Sequence, residues 1–369
     1  MTRPVSLAVV GAGYWGPNLV RNIVVHPRTR LRWIVDRDPH RAENLAARHG
    51  DVPWTTSLDQ VLADPDLDAV AIATPAATHG DIAHAVLDSG RHVLIEKPLA
   101  ASLDEGRALA DAAARSDRIL MCDHTYCYTP AVRRLHSAVA SGELGDLHYV
   151  DSVRINLGLV QSDVDVFWDL APHDLSILEL VLPPNRRILT VSAHGADPLG
   201  TGRISVGHLT LGLDGGALAH VHVNWLSPTK VRTSVWGGSQ RTLVWDDLDP
   251  VHRLRLYDRG VVVDGGPEPR IAYRIGDMTS PALGEREALA TMLDEFCDAI
   301  AEHRSPLTGA DAGLTVLDIL TAAHSSLDEG GIAIPLSGPA PVATPPRRGL
   351  EPTPTEDHRP GDPLSRRSR

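Results

Sequence analysis

Lysine and cysteine are both scarce in this chain of 369 residues. The three cysteines, Cys122, Cys127 and Cys297, build no disulfide framework, so a cross-linked secreted scaffold is excluded and a reducing cytoplasm is the expected setting. Of 35 basic residues only Lys97 and Lys230 are lysine, and the rest are arginine. Most surface cations can be either residue, so the bias reads as one of genome composition. A lysine that persists against it is a candidate for work a guanidinium cannot do, because an ammonium can shift its pKa and donate a proton.

Long apolar runs are lacking too: none approaches the roughly 18 residues of a membrane span. The first apolar stretch, Val5 to Val10, leads straight into a glycine loop, which is not the pattern of a secretory signal. Nor is there an excess of positive charge. Lys+Arg 35 against Asp+Glu 47 leaves −12, which argues against a general nucleic-acid binder. An anion can then be held only by a local site of backbone N–H groups or a few placed cations. What is present, 43% hydrophobic and 22% charged residues, is the composition of an ordinary globular protein, and the length predicts two domains.

The first half alternates short apolar strands with helices of 10–15 residues, the signature of βαβ units and a parallel sheet covered on both faces. Strands are expected at 5–10, 31–35, 68–73, 92–95 and 119–122, with helices at 16–25, 42–48, 78–88 and 102–114. Thr78 and Ser102 are placed to cap the last two helices. After about residue 125 a helix over 130–141 precedes a run of strands from 148 to about 265, interrupted by one helix over 168–182. Asp214-Gly215-Gly216 between two alternating runs predicts a hairpin turn. The expected architecture is an α/β Rossmann domain over 1–124, followed by an α+β domain with an open, mostly antiparallel sheet over 125–284. Two helices within 285–330 should pack back on the first domain, and 338–369, with eight prolines and no aromatic residue, reads as a disordered tail.

Gly11-Ala12-Gly13-Tyr14-Trp15-Gly16 is a G-x-G-x-x-G sequence between a strand and a helix. Gly11 permits the tight turn, Gly13 lets backbone approach a pyrophosphate, Gly16 allows close helix packing, and the helix N-terminus offers free N–H groups. Asp36 ends the second strand 20 residues after Gly16, where a carboxylate accepts bonds from an adenosine ribose. That arrangement predicts a dinucleotide cofactor and favours NAD over NADP. Arg37 beside it could offset the preference by pairing a 2′-phosphate, so NADP stays open. Ala73-Thr74-Pro75 and Glu96-Lys97-Pro98 end two further strands at the ligand edge of the sheet, with His79 shortly after the first. Tyr14, Trp15, Thr74, Pro75, His79, Glu96 and Lys97 are therefore candidate cofactor contacts. A turn proline with a structural His79 fits the same pattern.

Asp169 and His173, four residues apart at a helix start, can share one face. An imidazole has the pKa to take a hydroxyl proton near neutrality, and a carboxylate beside it would orient the ring. The same spacing also suits an N-capping Asp169 and a structural first-turn histidine. His220 and His222 alternate on one strand without a third ligand or a catalytic-zinc pattern, so no metal site is expected.

The glycine loop, Ala73-Thr74-Pro75, Glu96-Lys97-Pro98 and Asp169-x-x-x-His173, in that order and spacing, resemble the Gfo/Idh/MocA family, named for glucose–fructose oxidoreductase and inositol dehydrogenase. The resemblance covers about residues 5–330. It implies an NAD(P)-binding Rossmann domain, a C-terminal open sheet, and assembly into homodimers or homotetramers. It also implies an active site of Lys97, Asp169 and His173, with His173 the acid/base. The segment Gly212–Asp247, including Asn224 to Arg232, resembles predicted sugar or nucleotide-sugar dehydrogenases. The implied reaction moves a hydride between nicotinamide C4 and a secondary alcohol carbon of a sugar, nucleotide sugar or cyclitol. A cofactor-sensing regulator of the same fold is the alternative.

Overall fold

The computed structural model describes residues 3–158, 160–161, 164–183, 186–263 and 270–336. The proline-rich tail expected at 338–369 lies outside the described residues. Six strands form the first sheet: β1 (Val5–Val10), β2 (Thr29–Val35), β3 (Trp54–Thr55), β4 (Ala69–Ile72), β5 (His92–Glu96) and β6 (Leu120–Asp123). Their order is β3-β2-β1-β4-β5-β6, and every pair is parallel. Buried residues such as Leu7 and Val9 face one layer while Ala8 and Val10 face the other. This two-sided burial is why these strands read as unbroken apolar runs.

Helices α1 (Gly16–Val25), α2 (Pro39–Ala47), α3 (Leu58–Leu62), α4 (His79–Asp88) and α5 (Leu103–Ser116) connect the strands. Ser102 caps α5 by accepting from Glu105 N–H. Thr78 stands at the N-cap position of α4, but its hydroxyl donates to Thr74 Oγ1 and to the Pro75 carbonyl, so it gives the helix no side-chain cap.

After α6 (Pro130–Ala140) the second sheet begins with β7 (Leu147–Leu157), and α7 (Val166–Val181) packs on it. The remaining strands are β8 (Ile188–Ala196), β9 (Val206–Leu213), β10 (Leu218–Asn224), β11 (Leu226–Gly238), β12 (Thr242–Asp246), β13 (Leu254–Val263), β14 (Ile271–Thr279) and β15 (Ile334–Pro335). Their order is β14-β13-β12-β11-β7-β10-β9-β8-β15, antiparallel except for the parallel β7–β10 pair. The expected hairpin joins β9 to β10, with Gly215 and Gly216 at φ +78° and +81°. β14 was not among the expected strands. It pairs only with β13 at the sheet edge, and Ile271, Tyr273 and Ile275 remain exposed, so no burial pattern marks it.

α8 (Ala288–Glu302) packs beside α1 and the turn over 125–128, while α9 (Ala310–Asp328) lies between α5 and β6 on one side and α7 and β8 on the other. Glu287 ahead of α8 receives Arg21 and Asn22 of α1, and Asp294 pairs with the buried His26. α9 lies against α5, where a side chain at Gly106 would meet Leu317 Cδ1 at 2.6 Å.

Candidate active site

Gly11 follows β1 with φ +104°, and a Cβ there would stand 2.6 Å from the Ala73 carbonyl oxygen. Only glycine fits this conformation and this approach. A Cβ at Gly13 would meet nothing within 4 Å, so the loop presents bare backbone to open space above the α1 N-terminus. Asp36 is half-buried just past the end of β2. Its Oδ2 accepts the Ala12 N–H at 2.7 Å and its Oδ1 the Asp38 N–H at 2.9 Å, which locks the carboxylate beside the loop. Arg37 and Pro75 are exposed, and Tyr14 is 94% exposed. Trp15 turns its indole N–H to Asp123 Oδ2 at 3.2 Å, tying the loop to the end of β6.

His79, a candidate cofactor contact, opens α4. Its ring is buried, with nitrogens 2.8 Å from the Pro98 carbonyl and 2.9 Å from the Thr74 carbonyl. It pins together the two loops that follow β4 and β5, and burial depresses its pKa. Thr74 remains half-buried at the crevice, with Oγ1 taken up by Thr78.

Lys97 follows β5, and its Nζ donates to the Asp169 carbonyl at 2.7 Å and to Asp169 Oδ1 at 3.2 Å. The other Asp169 oxygen accepts the Trp225 indole N–H at 2.9 Å. The capping role considered for Asp169 belongs to Asp165, which accepts from the Phe167 and Trp168 N–H groups and starts α7 one turn earlier. Pro172 inside α7 has no N–H for the carbonyl four residues back, which loosens the helix in the turn that carries Asp169.

Asp169 and His173 do share the site, but the carboxylate holds Lys97 and Trp225, and no hydrogen bond joins it to the imidazole. His173 instead meets the edge of Tyr126, ring centroids 5.0 Å apart. Tyr126 is fixed in turn by Arg154, stacked 4.5 Å over its ring, and by Arg232 Nη1, which donates to its hydroxyl at 2.6 Å. Arg154 is buried and paired with Asp174 at 2.6 and 3.2 Å. Burial, then the charge of Lys97, then Arg154, His124 and Arg232, holds the His173 pKa well below the ordinary histidine range. The ring is therefore neutral and able to accept a proton.

Glu96 and Asp123 are register partners on β5 and β6. Burial and then the Asp123 charge push the Glu96 carboxyl well up, and burial raises Asp123. His124 is buried with its pKa pushed down to about 4, by burial first and Lys97 second. Glu96 Oε2, both His124 ring nitrogens and His173 Nδ1 are buried polar atoms with no partner. Unpartnered groups of this kind are costly, and their concentration around Lys97 fits a site shaped for a polar ring and a hydroxylated substrate. With the open glycine loop and the locked Asp36, the residues present fit a nicotinamide dinucleotide. His124, Tyr126, Arg154 and Arg232 were not among the expected site residues. The rule that strand ends line the crevice could have found the first two, since they follow β6 directly.

This sheet order, glycine loop and lysine at a strand end define an NAD-binding Rossmann oxidoreductase. Residues 5–124 match the oxidoreductase family with NAD-binding Rossmann fold, and residues 132–241 match the Gfo/Idh/MocA C-terminal domain. The chain belongs to the Gfo/Idh/MocA family. It is 26% identical to scyllo-inositol 2-dehydrogenase (NAD⁺) of Bacillus subtilis, over 89% of this chain and 96% of that protein. UDP-N-acetylglucosamine 3-dehydrogenase of Acidithiobacillus ferrooxidans is 28% identical, over 84% of this chain and 93% of that protein. The structure of GenD2 from gentamicin A biosynthesis, in complex with NAD, superposes with a TM-score of 0.77 at 28% identity, covering 91% of this chain and 97% of that one.

Proposed function

We propose that this protein interconverts a secondary alcohol and a ketone on a sugar, nucleotide sugar or cyclitol, with NAD the preferred cofactor. The observation that carries the reading is the pairing of a tethered Lys97 with a His173 kept neutral beside it. In oxidation, the neutral His173 takes the hydroxyl proton. Lys97 holds the same oxygen and stabilises the charge that develops there, and Asp169 fixes the ammonium from two sides. Bound NAD supplies the hydride acceptor at nicotinamide C4. In reduction His173 returns the proton to the oxygen. General acid–base help of this kind contributes about 10²–10⁴-fold. Tyr126 packs on the His173 ring and is itself held by Arg154 and Arg232, and a polar site of this kind suits a substrate with many hydroxyl groups.

The cofactor domain is read as 1–124 and the substrate and oligomerisation domain as 125–284, with the helices of 285–330 returning to the first. Self-association as a homodimer or homotetramer is supported by the outer face of the second sheet. Tyr149, Leu218, Val261, Ile271, Tyr273 and Ile275 are exposed on that sheet, an apolar surface that a second copy would cover. On the same face His220 pairs with Asp151, and His222 stacks on His208 at 4.1 Å. Few, buried and free cysteines support a cytoplasmic location, and no helix among the described residues is long and apolar enough to cross a membrane.

The test is an absorbance screen at the reduced-nicotinamide band, with UDP- and dTDP-sugars, inositols and free hexoses against NAD and NADP. Turnover in one of these classes, faster with NAD, is the expected result. Tight NAD binding with no turnover in any class would move the protein to the regulatory reading.

A further inference from the structure

A second polar cleft lies at the opposite edge of the Rossmann sheet from the glycine loop. It has a volume of about 560 Å³, a size suited to a small molecule. Four arginines line it, Arg3, Arg28, Arg91 and Arg118, against one carboxylate, Asp68. With Asp298, which pairs with Arg28 beside it, that leaves a formal local charge of +2 on a chain of −12.

The four cations are not equally free. Arg3 is paired with Asp68, and Arg28 with Asp298. Among the described residues, Arg91 and Arg118 meet no carboxylate. Arg91 donates to the carbonyls of Ser89 and Asp64, and its Nε is buried without a partner. Arg118 donates to the carbonyls of Gly90 and Asp117. The C-terminal ends of α4 and α5 face this edge and contribute about half a negative charge each. They offset roughly one of the two uncompensated guanidinium charges and leave the other.

His92 adds a donor of fixed direction. Its Nδ1 accepts the Ile119 N–H at 3.0 Å, so in the neutral ring the proton sits on Nε2. Burial, then the Arg118 charge, depresses its pKa to about 4 and keeps it neutral. Leu67, Pro27 and Ile300 supply an apolar wall. The walls come from two parts of the fold, because Cys297, Ile300 and Ala301 belong to α8 while the arginines belong to the Rossmann layer.

We propose that this cleft is a binding site for a small molecule with an oxyanion head and a compact apolar or ring body, separate from the catalytic crevice. Guanidinium forks match the planar carboxylate and the phosphate alike, so the shared chemistry is the oxyanion. A ligand there bridges the Rossmann sheet to α8 and stabilises their docking by mass action.

The experiment is calorimetric titration and thermal denaturation of the full chain saturated with NAD, so that the cofactor site is already filled. The probes are phenyl phosphate, for a phosphate head, and benzoate, for a carboxylate head, each to 10 mM. Saturable one-to-one binding with a rise in Tm is expected for at least one probe, and the stronger of the two identifies the head group. Arg118→Gln should weaken that binding at least tenfold and abolish the Tm rise while NAD affinity stays unchanged. Arg3→Gln, which removes the exposed cation at the rim, should weaken it less. The proposal is overturned if neither probe binds saturably to the wild type, or if Arg118→Gln binds as tightly as the wild type. Because the readout is binding, it is independent of whether any alcohol is turned over.

Discussion

The pH dependence of alcohol oxidation is the sharpest test of the site. A base must be neutral to accept a proton, and an unperturbed histidine would give a rate rising through about pH 6.5. In this fold the His173 ring is desolvated and faces Lys97, Arg154, His124 and Arg232, all of which oppose protonation. The working form is therefore already complete at neutrality. For a substrate of the proposed class, kcat/KM should be flat through the neutral range and fall only well below the ordinary histidine pKa. His173→Ala should lose about 10²–10⁴-fold, which is about 3–5 kcal/mol of transition-state stabilisation, with NAD affinity intact. The same mutant should lose the acid limb. A second measurement needs no turnover: Lys97 is the first charge acting on the ring, so in Lys97→Met the NMR titration of His173 should move to higher pH. Profiles of wild type and His173→Ala recorded side by side decide the matter. An acid limb that survives unchanged in the mutant would refute His173 as the titrating base and leave the proton to Lys97.

Other consequences can be measured directly. Lys97→Arg should abolish turnover while NAD still binds, because the Nζ niche at 2.7 and 3.2 Å from two Asp169 oxygens is cut for an ammonium; steady-state rates and a binding titration check this. Asp36→Ala should narrow the preference for NAD over NADP, read as the ratio of the two dissociation constants. Asp174→Ala leaves the 3%-exposed Arg154 side chain without its partner and should cost about 3–5 kcal/mol in urea unfolding. His124 is buried with a pKa near 4, below the unfolded value of about 6.5. The unfolded chain therefore takes up the proton first, and stability should fall as pH drops from about 6.5 toward 4. His124→Gln should flatten that part of the stability profile.

Much of the Rossmann half can be read without coordinates, because its strands are buried on both faces and its turns need specific residues. Gly11, Gly13 and Gly16 mark the tight loop after β1, since a Cβ at Gly11 has nowhere to go. Asp36 is legible by its position after β2, where the fold sets its carboxylate beside the glycine loop. Lys97 stands out by composition and by its place at a strand end. The hairpin at Asp214-Gly215-Gly216 is likewise a local matter of positive φ. β14 escapes the sequence because its exposed edge position imposes no burial pattern, and the start of α7 shifts because Asp165, not Asp169, offers the capping oxygen.

Partnerships across the fold belong to tertiary structure alone. Spacing placed Asp169 and His173 on one helix, but only the packing of α7 against β10, and its approach to the segment after β5, gave Asp169 to Lys97 and Trp225 rather than to the imidazole. Only the approach of β7 and β11 to the segment after β6 put Arg154 and Arg232 on Tyr126, and Tyr126 on His173. Sequence also left His79 divided between cofactor and scaffold; only the fold shows its buried ring set between two carbonyls. The physical reason is the same in each case. Backbone conformation is set largely by neighbours within a few residues, whereas hydrogen-bond partners and pKa shifts depend on groups that packing brings together from other elements, as far as 106 positions apart for Arg232 and Tyr126.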